Sequence, residues 1–283
     1  MVNRETEIGI VCCSNGRKRE HSKETGHLAQ VLETMGLHPV FSNYIYAQES
    51  AFSGTARERA QALMDFYRDD RIKGIFDISG GDIANGILPF LDYRVIAESG
   101  KMFWGYSDLT TVINAIYAKT GRPSVLYQIR NLIYDHGKRQ RADFANTFIN
   151  HGNDLFSINV RMIQEKEMAG IVVGGNIRCF LKLAGTEYMP DLQGKILLLE
   201  SRGGLEPRIE TYLCQLEQLG VFQKVSGILL GTFTQMQEES HPLSAERLVR
   251  KFAGKNLPIA VTSEIGHGTD AKGIVIGREF HCP

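Results

Sequence analysis

The stretch KMFWGYSDLTTVINAIY, residues 101–117, ends an apolar run and begins a helical one within two residues. KMFWGYS reads as a strand and DLTTVINAIY as a helix, with Ser107 on the corner between them. A strand that turns at once into a helix exposes its corner side chain and collects unpaired backbone N–H groups around it. The question for the rest of the chain is whether anything converges on that corner.

Working outward, the same alternation repeats. EIGIVCCS (7–14), HPVFSNY (38–44), KGIFDISGG (73–81) and PSVLYQ (123–128) read as strands. TGHLAQVLETMG (25–36), ARERAQALMDFYRDD (56–70) and ANGILPFLDYRVIAE (84–98) read as the helices between them. Strand–helix units of this length imply parallel strands joined by right-handed crossovers, hence an open α/β domain. Residues 131–156 break the rhythm and read as a connecting segment with one helix. Beyond it, AGIVVGGN, KILLLES, VSGILLGTF, LPIAVTSEIGHG and AKGIVIGREF read as strands, with helices expected near 177–184, 206–219 and 244–253. Some of these strands follow one another closely, which favours a mixed sheet. The expected division is residues 1–135, a connection over 136–160, and a second α/β domain over 161–283.

The 283 residues carry 32 basic and 32 acidic side chains, so no net field recruits nucleic acid or an anionic membrane. The local cluster Arg17, Lys18, Arg19 is short and reads as a solvated loop rather than a phosphate site. The first ten residues lack the apolar stretch of a signal peptide, and no apolar run is long enough to span a bilayer. Five cysteines in apolar surroundings, among them the adjacent Cys12 and Cys13, point to reduced, mostly buried thiols and a cytoplasmic setting. Neither HExxH nor a paired CxxC is present, so no metal site is expected.

Open α/β sheets carry their sites beyond the carboxyl ends of the strands. Two ends here carry suggestive chemistry, Ser79-Gly80-Gly81-Asp82 and Gly105-Tyr106-Ser107-Asp108. The second does not complete the GxSxG of a nucleophile elbow, and taken alone Ser107 with Asp108 reads more readily as a helix N-cap. Gly80-Gly81 reads equally as a turn, a phosphate loop or a place where a backbone amide approaches a ligand. A nucleophilic serine needs a base, and the base needs an acceptor. Among eight histidines, His136, His151 and His241 fall in loop-like stretches, while His267 sits between two glycines just past an apolar run. Taken alone, it reads more readily as a turn histidine than as a base. Glu200 ends KILLLE, where a charged group is costly unless paired. A structural ion pair with Arg202 or Arg208 would satisfy it, and so would a histidine.

Together, SGGDIANGILPFLDY (79–93), GYSDLT (105–110), GGNIRCFLKLAGTEYMPDLQGKILLLE (174–200), and IGHG (265–268) followed by GIVIG (273–277) resemble the LD-carboxypeptidases. That family includes the microcin C self-immunity peptidases, and the resemblance runs from about residue 7 to 280. It implies an N-terminal open parallel sheet of the flavodoxin or Rossmann kind and a C-terminal mixed α/β domain with a barrel-like sheet. It also implies a cytoplasmic serine peptidase with no cofactor, expected as a homodimer. Its triad would be Ser107 as nucleophile, His267 as base and Glu200 as orienting carboxylate. The oxyanion hole would come from backbone amides of Gly80, Gly81 and Asp108, with Asp82 and Arg202 as substrate-binding candidates.

The substrate expected from the resemblance is a small peptide, a murein tetrapeptide losing its terminal D-alanine. The alternative is an aminoacyl-nucleotide conjugate. GG-x-x-x-N followed by LP-x-LD, here Asn85 and Leu88-Pro89-Phe90-Leu91-Asp92, leans to that second branch. In VLYQIRN (125–131), Gln128 and Arg130 stand where relatives have a glycine-proline pair, so they would reshape the pocket. A reading of another class is a catalytically silent protein that binds a phosphate-bearing ligand through the glycine turn and helix N-termini.

Overall fold

The structure is a computed structural model that describes residues 6–239 and 244–282. His241, one of the loop histidines, lies outside the described residues.

Five parallel strands build the first sheet: β1 (Thr6–Val11), β2 (Leu37–Phe41), β3 (Ile72–Asp77), β4 (Phe103–Gly105) and β5 (Ser124–Leu126). Helices α1 (Ser22–Thr34), α2 (Ala56–Arg68), α3 (Tyr93–Ser99) and α4 (Thr110–Thr120) supply the crossovers. The order β2-β1-β3-β4-β5 reverses direction between β1 and β3. In open α/β sheets that switch point opens a crevice at the carboxyl ends of the strands. The loops after β1 and β3 therefore become neighbours, and the corner after β4 stands beside them.

One expected helix is broken. Residues 84–98 read as continuous, but a 3-10 turn covers Ala84–Phe90 and α3 starts only at Tyr93. Pro89 withholds a backbone donor, and Asp92 caps the restart by accepting from the N–H groups of Arg94 and Val95 at 3.2 Å each.

The connecting segment holds α5 (Gly137–Phe144) with a π turn at its end. The second sheet follows: β6 (Arg161–Gln164), β7 (Met168–Asn176), β8 (Ile196–Ser201), β9 (Gly227–Phe233) and β10 (Ile259–Val261). Helices α6 (Ile177–Leu181), α7 (Glu206–Gln218), α8 (Thr234–Glu238) and α9 (Ala245–Ala253) lie between these strands. The final apolar run, expected as one strand of the second domain, divides instead. Its first part, β11 (Ile274–Ile276), pairs antiparallel with β5 and so extends the first sheet. Its second part, β12 (Glu279–Cys282), pairs antiparallel with β7. Gly277, at φ 87°, allows the turn between the two. The second sheet thus runs β12-β7-β8-β9-β10-β6, mixed in direction, and curls into a half-barrel.

α4 joins the two sheets. Val112, Ile113, Ala115 and Ile116 are all buried, because one face meets the first sheet and the other the second. Asn114 on the same helix locks onto β7, donating to the Gly174 carbonyl at 2.9 Å and accepting from the Gly174 N–H at 2.8 Å. Burying each large apolar side chain contributes about 1.5–3 kcal/mol, so this helix is among the most heavily anchored elements in the chain. Among the described residues no helix is long and apolar enough to cross a membrane. All five cysteines are free thiols, four of them buried.

Candidate active site

Ser107 occupies the turn between β4 and α4 at φ 55°, a left-handed conformation uncommon for a residue with a Cβ. Such a conformation costs on the order of 1–3 kcal/mol and persists only where the surroundings over-determine it. Here they do. The Leu109 N–H donates to the Tyr106 carbonyl at 3.0 Å and closes the turn. Leu109 stands where a GxSxG motif would have its second glycine, and its Cβ presses on Gly105, where any added Cβ would lie 2.7 Å away. The first glycine of the motif is thus needed for close approach, and the second is replaced by a core leucine.

The Asp108 side chain is fully buried and acts as the peg of the corner. It accepts from the Ser14 hydroxyl at 2.6 Å and from the Ala84 N–H at 2.8 Å, and its other oxygen pairs with Lys182. Ser14 comes from the loop after β1, Ala84 from beyond the glycine pair, and Lys182 from the end of α6. One carboxylate therefore ties three segments to the serine turn. It does so inside the fold, so Asp108 is more than the simple helix cap that local reading preferred.

The glycine pair is held just as firmly. Asp77, at the end of β3, is buried; burial pushes its carboxyl up, against hydrogen bonds from Ser79 and Cys13 that pull the other way. Ser79 passes the contact on, since its hydroxyl accepts from the Ser14 N–H at 3.0 Å. The Asn15 N–H holds the Gly80 carbonyl at 3.2 Å, and Arg178 holds the Gly81 carbonyl at 3.1 Å. At Gly81 φ is 131°, and an added Cβ would fall 2.1 Å from the Asn15 side chain. Asp82 is ion-paired to Arg178, while its carbonyl accepts from Lys182 at 2.8 Å. Arg178 and Lys182 are spaced i, i+4 along α6, the one sequence signal that could have revealed this latch.

From the second sheet come Glu200 and His267. Glu200 closes β8 behind four leucine or isoleucine residues and is fully buried. Its partner is neither Arg202 nor Arg208. Its Oε2 lies 2.8 Å from His267 Nδ1, while Oε1 has no hydrogen-bond partner among the described residues. His267 Nε2 is likewise buried and unpartnered. The loop carrying His267 packs tightly on β9: Thr232 N–H donates to the Ile265 carbonyl at 2.8 Å. A Cβ on Gly266 would lie 1.7 Å from Thr232 Oγ1, so only glycine lets the loop come this close.

Tyr106 completes the group, and the sequence reading assigned it no role. Its hydroxyl is 3.2 Å from His267 Nδ1 and 3.5 Å from Glu200 Oε2, with the two rings 4.7 Å apart. Burial, then the charge of Glu200, pushes the phenol well above its ordinary value, so it stays a neutral donor. Its only forewarning was its place beside the corner serine.

Ser107, His267, Tyr106, Gly80 and Gly81 line one cavity of about 650 Å³ at the switch point of the first sheet. Arg202 borders it and also borders an adjoining cavity of about 510 Å³ that reaches Asp82 and Ser107. The Arg202 guanidinium has no ion pair among the described residues. Gln128 and Arg130 also line the first cavity.

Fold and geometry together define a class: a two-sheet α/β protein with a strained serine corner and a buried carboxylate–imidazole pair on one cavity. Models of the N-terminal and C-terminal domains of LD-carboxypeptidases match residues 8–127 and 169–281. The chain therefore belongs to the LD-carboxypeptidase family and is a serine-type peptidase. It is 29% identical to the microcin C7 self-immunity protein MccF of Escherichia coli, over 76% of this chain and 72% of that one. It is 24% identical to the murein tetrapeptide carboxypeptidase of Pseudomonas aeruginosa, over 87% and 84%. The crystal structure of an MccF-like protein from Bacillus anthracis superposes with a TM-score of 0.85 at 26% identity, over 98% and 93%.

Proposed function

We propose that this protein is an LD-carboxypeptidase that attacks its substrate with Ser107, uses His267 as general base and holds that base with Glu200. The observation that carries the reading is the Glu200–His267 contact at 2.8 Å through Nδ1, which leaves Nε2 for the serine of the same cavity. With Nδ1 protonated toward Glu200, Nε2 takes the Ser107 proton as Oγ attacks the scissile carbonyl. The imidazolium then returns the proton to the leaving amine, and the ionised Glu200 stabilises it meanwhile. Water repeats the sequence on the acyl-enzyme. The N–H groups of Asp108 and of Gly80 or Gly81 supply the oxyanion hole, since the carbonyls of both glycines are held by Asn15 and Arg178. Residues 1–135 bring the nucleophile, 136–160 connect, and 161–283 bring Glu200 and His267.

The substrate proposed first is a murein tetrapeptide that loses its terminal D-alanine in the cytoplasm. Arg202, without a counter-ion among the described residues and lining the same cavities as Ser107, is the proposed partner of the terminal carboxylate. Asp82, already paired with Arg178, orients the glycine turn. A second reading, hydrolysis of an aminoacyl sulfamoyl nucleotide, is favoured by Asn85 with the LP-x-LD run and by the likeness to the MccF proteins. A homodimer is the proposed assembly.

Incubation with each substrate class, followed by mass analysis, decides between them: free D-alanine supports the first and a cleaved aminoacyl sulfamoyl adenylate the second. Ser107→Ala is expected to lower turnover by a factor on the order of 10⁶ on whichever is cleaved. Full activity in that variant would overturn the assignment.

A further inference from the structure

The cluster Arg17, Lys18, Arg19 reads in sequence as a solvated loop, and Lys18 behaves so, with its side chain 74% exposed. Arg17 does not. Its N–H donates to Ile45 and its carbonyl accepts from Ala47, both at 2.8 Å, and its side chain is only 9% exposed. That side chain turns into the cavity of Ser107 and His267, from the loop after β1 at the switch point. One terminal nitrogen meets Glu24 at 3.0 Å, yet Nε is buried with no hydrogen-bond partner among the described residues.

Glu24 is also shared. Arg130 reaches the same oxygen at 3.5 Å, and the Tyr134 hydroxyl donates to it at 2.6 Å. Burial works to raise the Glu24 carboxyl, but Tyr134, Arg17 and Arg130 outweigh it and hold it below the usual range. It is therefore ionised and cancels one of two guanidinium charges. A structural ion pair needs one cation for one carboxylate. The second guanidinium charge and the idle buried donor are left over; both arginines line the cavity, Arg130 with Nε on the Gln128 side chain at 3.2 Å and one terminal nitrogen on the Tyr134 hydroxyl at 2.9 Å. Across the whole cavity, Arg17, Arg130, Arg202 and Lys272 stand against Glu24 and Glu238, although Lys272 is engaged by Glu264.

We propose that Arg17 and Arg130, spaced by Glu24, form an anion subsite for a carboxylate or phosphoryl group that the substrate carries away from its scissile bond. Planar guanidinium forks suit both groups, which present paired oxygens. The substrate class is thereby narrowed to compounds with an acidic group in addition to the one at the cleaved end. The inference rests on the proposed function for its link to turnover, but not for anion binding itself.

Calorimetric titration of the full-length protein with inorganic phosphate, with glutarate and with neutral glutaramide tests the subsite without turnover. One or both anions are expected to bind and glutaramide not to. Arg17→Met and Arg130→Met should each weaken binding by roughly tenfold or more, the loss expected for a charge-assisted hydrogen bond. Tighter phosphate assigns the subsite to a phosphoryl group, and tighter glutarate to a carboxylate. Arg130 is less deeply placed, with 22% of its side chain exposed, so its variant serves if Arg17→Met fails to fold. In parallel, two peptides alike at the scissile bond, one with a remote acid and one with the amide, give a ratio of kcat/KM that should fall about tenfold in either variant. Absence of anion binding, or affinity unchanged in both arginine variants, overturns the subsite. So does affinity lost only in Arg202→Met. Arginine-dependent anion binding without any peptide cleavage would instead sink the proposed activity and leave the subsite standing.

Discussion

Ser107 and His267 reach one cavity from two different sheets, and they are held there by different means. The serine corner is pinned by a buried side-chain carboxylate, Asp108, whose partners Ser14, Ala84 and Lys182 come from three segments. The histidine loop is tied by Glu200 and Tyr106 on His267, by Gln140 on the Ala271 carbonyl at 2.9 Å and by Asn159 on the Glu264 carboxylate, and beside His267 its backbone packs closely over Gly266 and Gly231. A corner that stores backbone strain needs several independent ties, because each shares the load of a conformation the residue would leave if released. The loop stores no such strain, and where its ties are fewest, at Gly266, close approach is what glycine provides. Substitutions should therefore separate the two halves: the corner fails through its charges, and the loop through its volume.

After removal of the Ser107 hydroxyl itself, the largest effect expected is on activity at the second half. Glu200→Gln keeps the shape of the pair but lets an amide N–H face His267 Nδ1, favouring the wrong tautomer. Turnover should fall by about 10⁴ with little change in the melting temperature. A fall of less than tenfold in steady-state assays would remove Glu200 from the mechanism. Next, Lys182→Met leaves the Asp108 carboxylate buried without its cation. Breaking such a pair costs about 3–5 kcal/mol, and the two hydrogen bonds that remain place the expected loss at about 3 kcal/mol, read by denaturant unfolding. An unchanged midpoint would show that Ser14 and Ala84 suffice. Gly266→Ala should cost about 1–3 kcal/mol by overpacking against Thr232. Thr232→Ala in the same chain should restore part of it, a coupling that two independent sites would lack. The smallest effect is Tyr106→Phe. It removes one long hydrogen bond to the imidazole–carboxylate pair and should lower kcat about tenfold, with KM unmoved. Loss of thermal stability without loss of kcat would make Tyr106 a packing residue only.

These contrasts also explain what the sequence discloses. The corner is legible because an apolar run and a helical run meet in two residues, and Glu200 because a carboxylate ends a buried strand. Neither could be given a role until the ordered motifs of a family were set beside them. His267 had no local pattern beyond two flanking glycines, since what places it is Thr232 and Glu200, far away in the chain. Tyr106 was invisible for the same reason, Lys182 showed only its i, i+4 spacing from Arg178, and Arg17 reads as solvated with its cluster because its partners Glu24, Ile45 and Ala47 lie on other segments and leave no periodicity. The broken helix at Asp92 was foreshadowed by Pro89 and still misread, because the apolar spacing continued through it. The split of the last apolar run between two sheets was marked in sequence only by Gly277, since neither IVI nor EFHC says which sheet its strand will join.

That split changes how the molecule can come apart. Residues 274–276 follow the whole second sheet in the chain but complete the first one, on the edge beside β5. A nick in the connecting segment would give two pieces still stitched together by β11 against β5 and by Asn114 against Gly174. The chain is closer to a clasp than to a hinge: β11 fastens the imidazole-bearing half to the serine-bearing half, α4 seconds it through Asn114, and the pocket between them opens if those fastenings are undone.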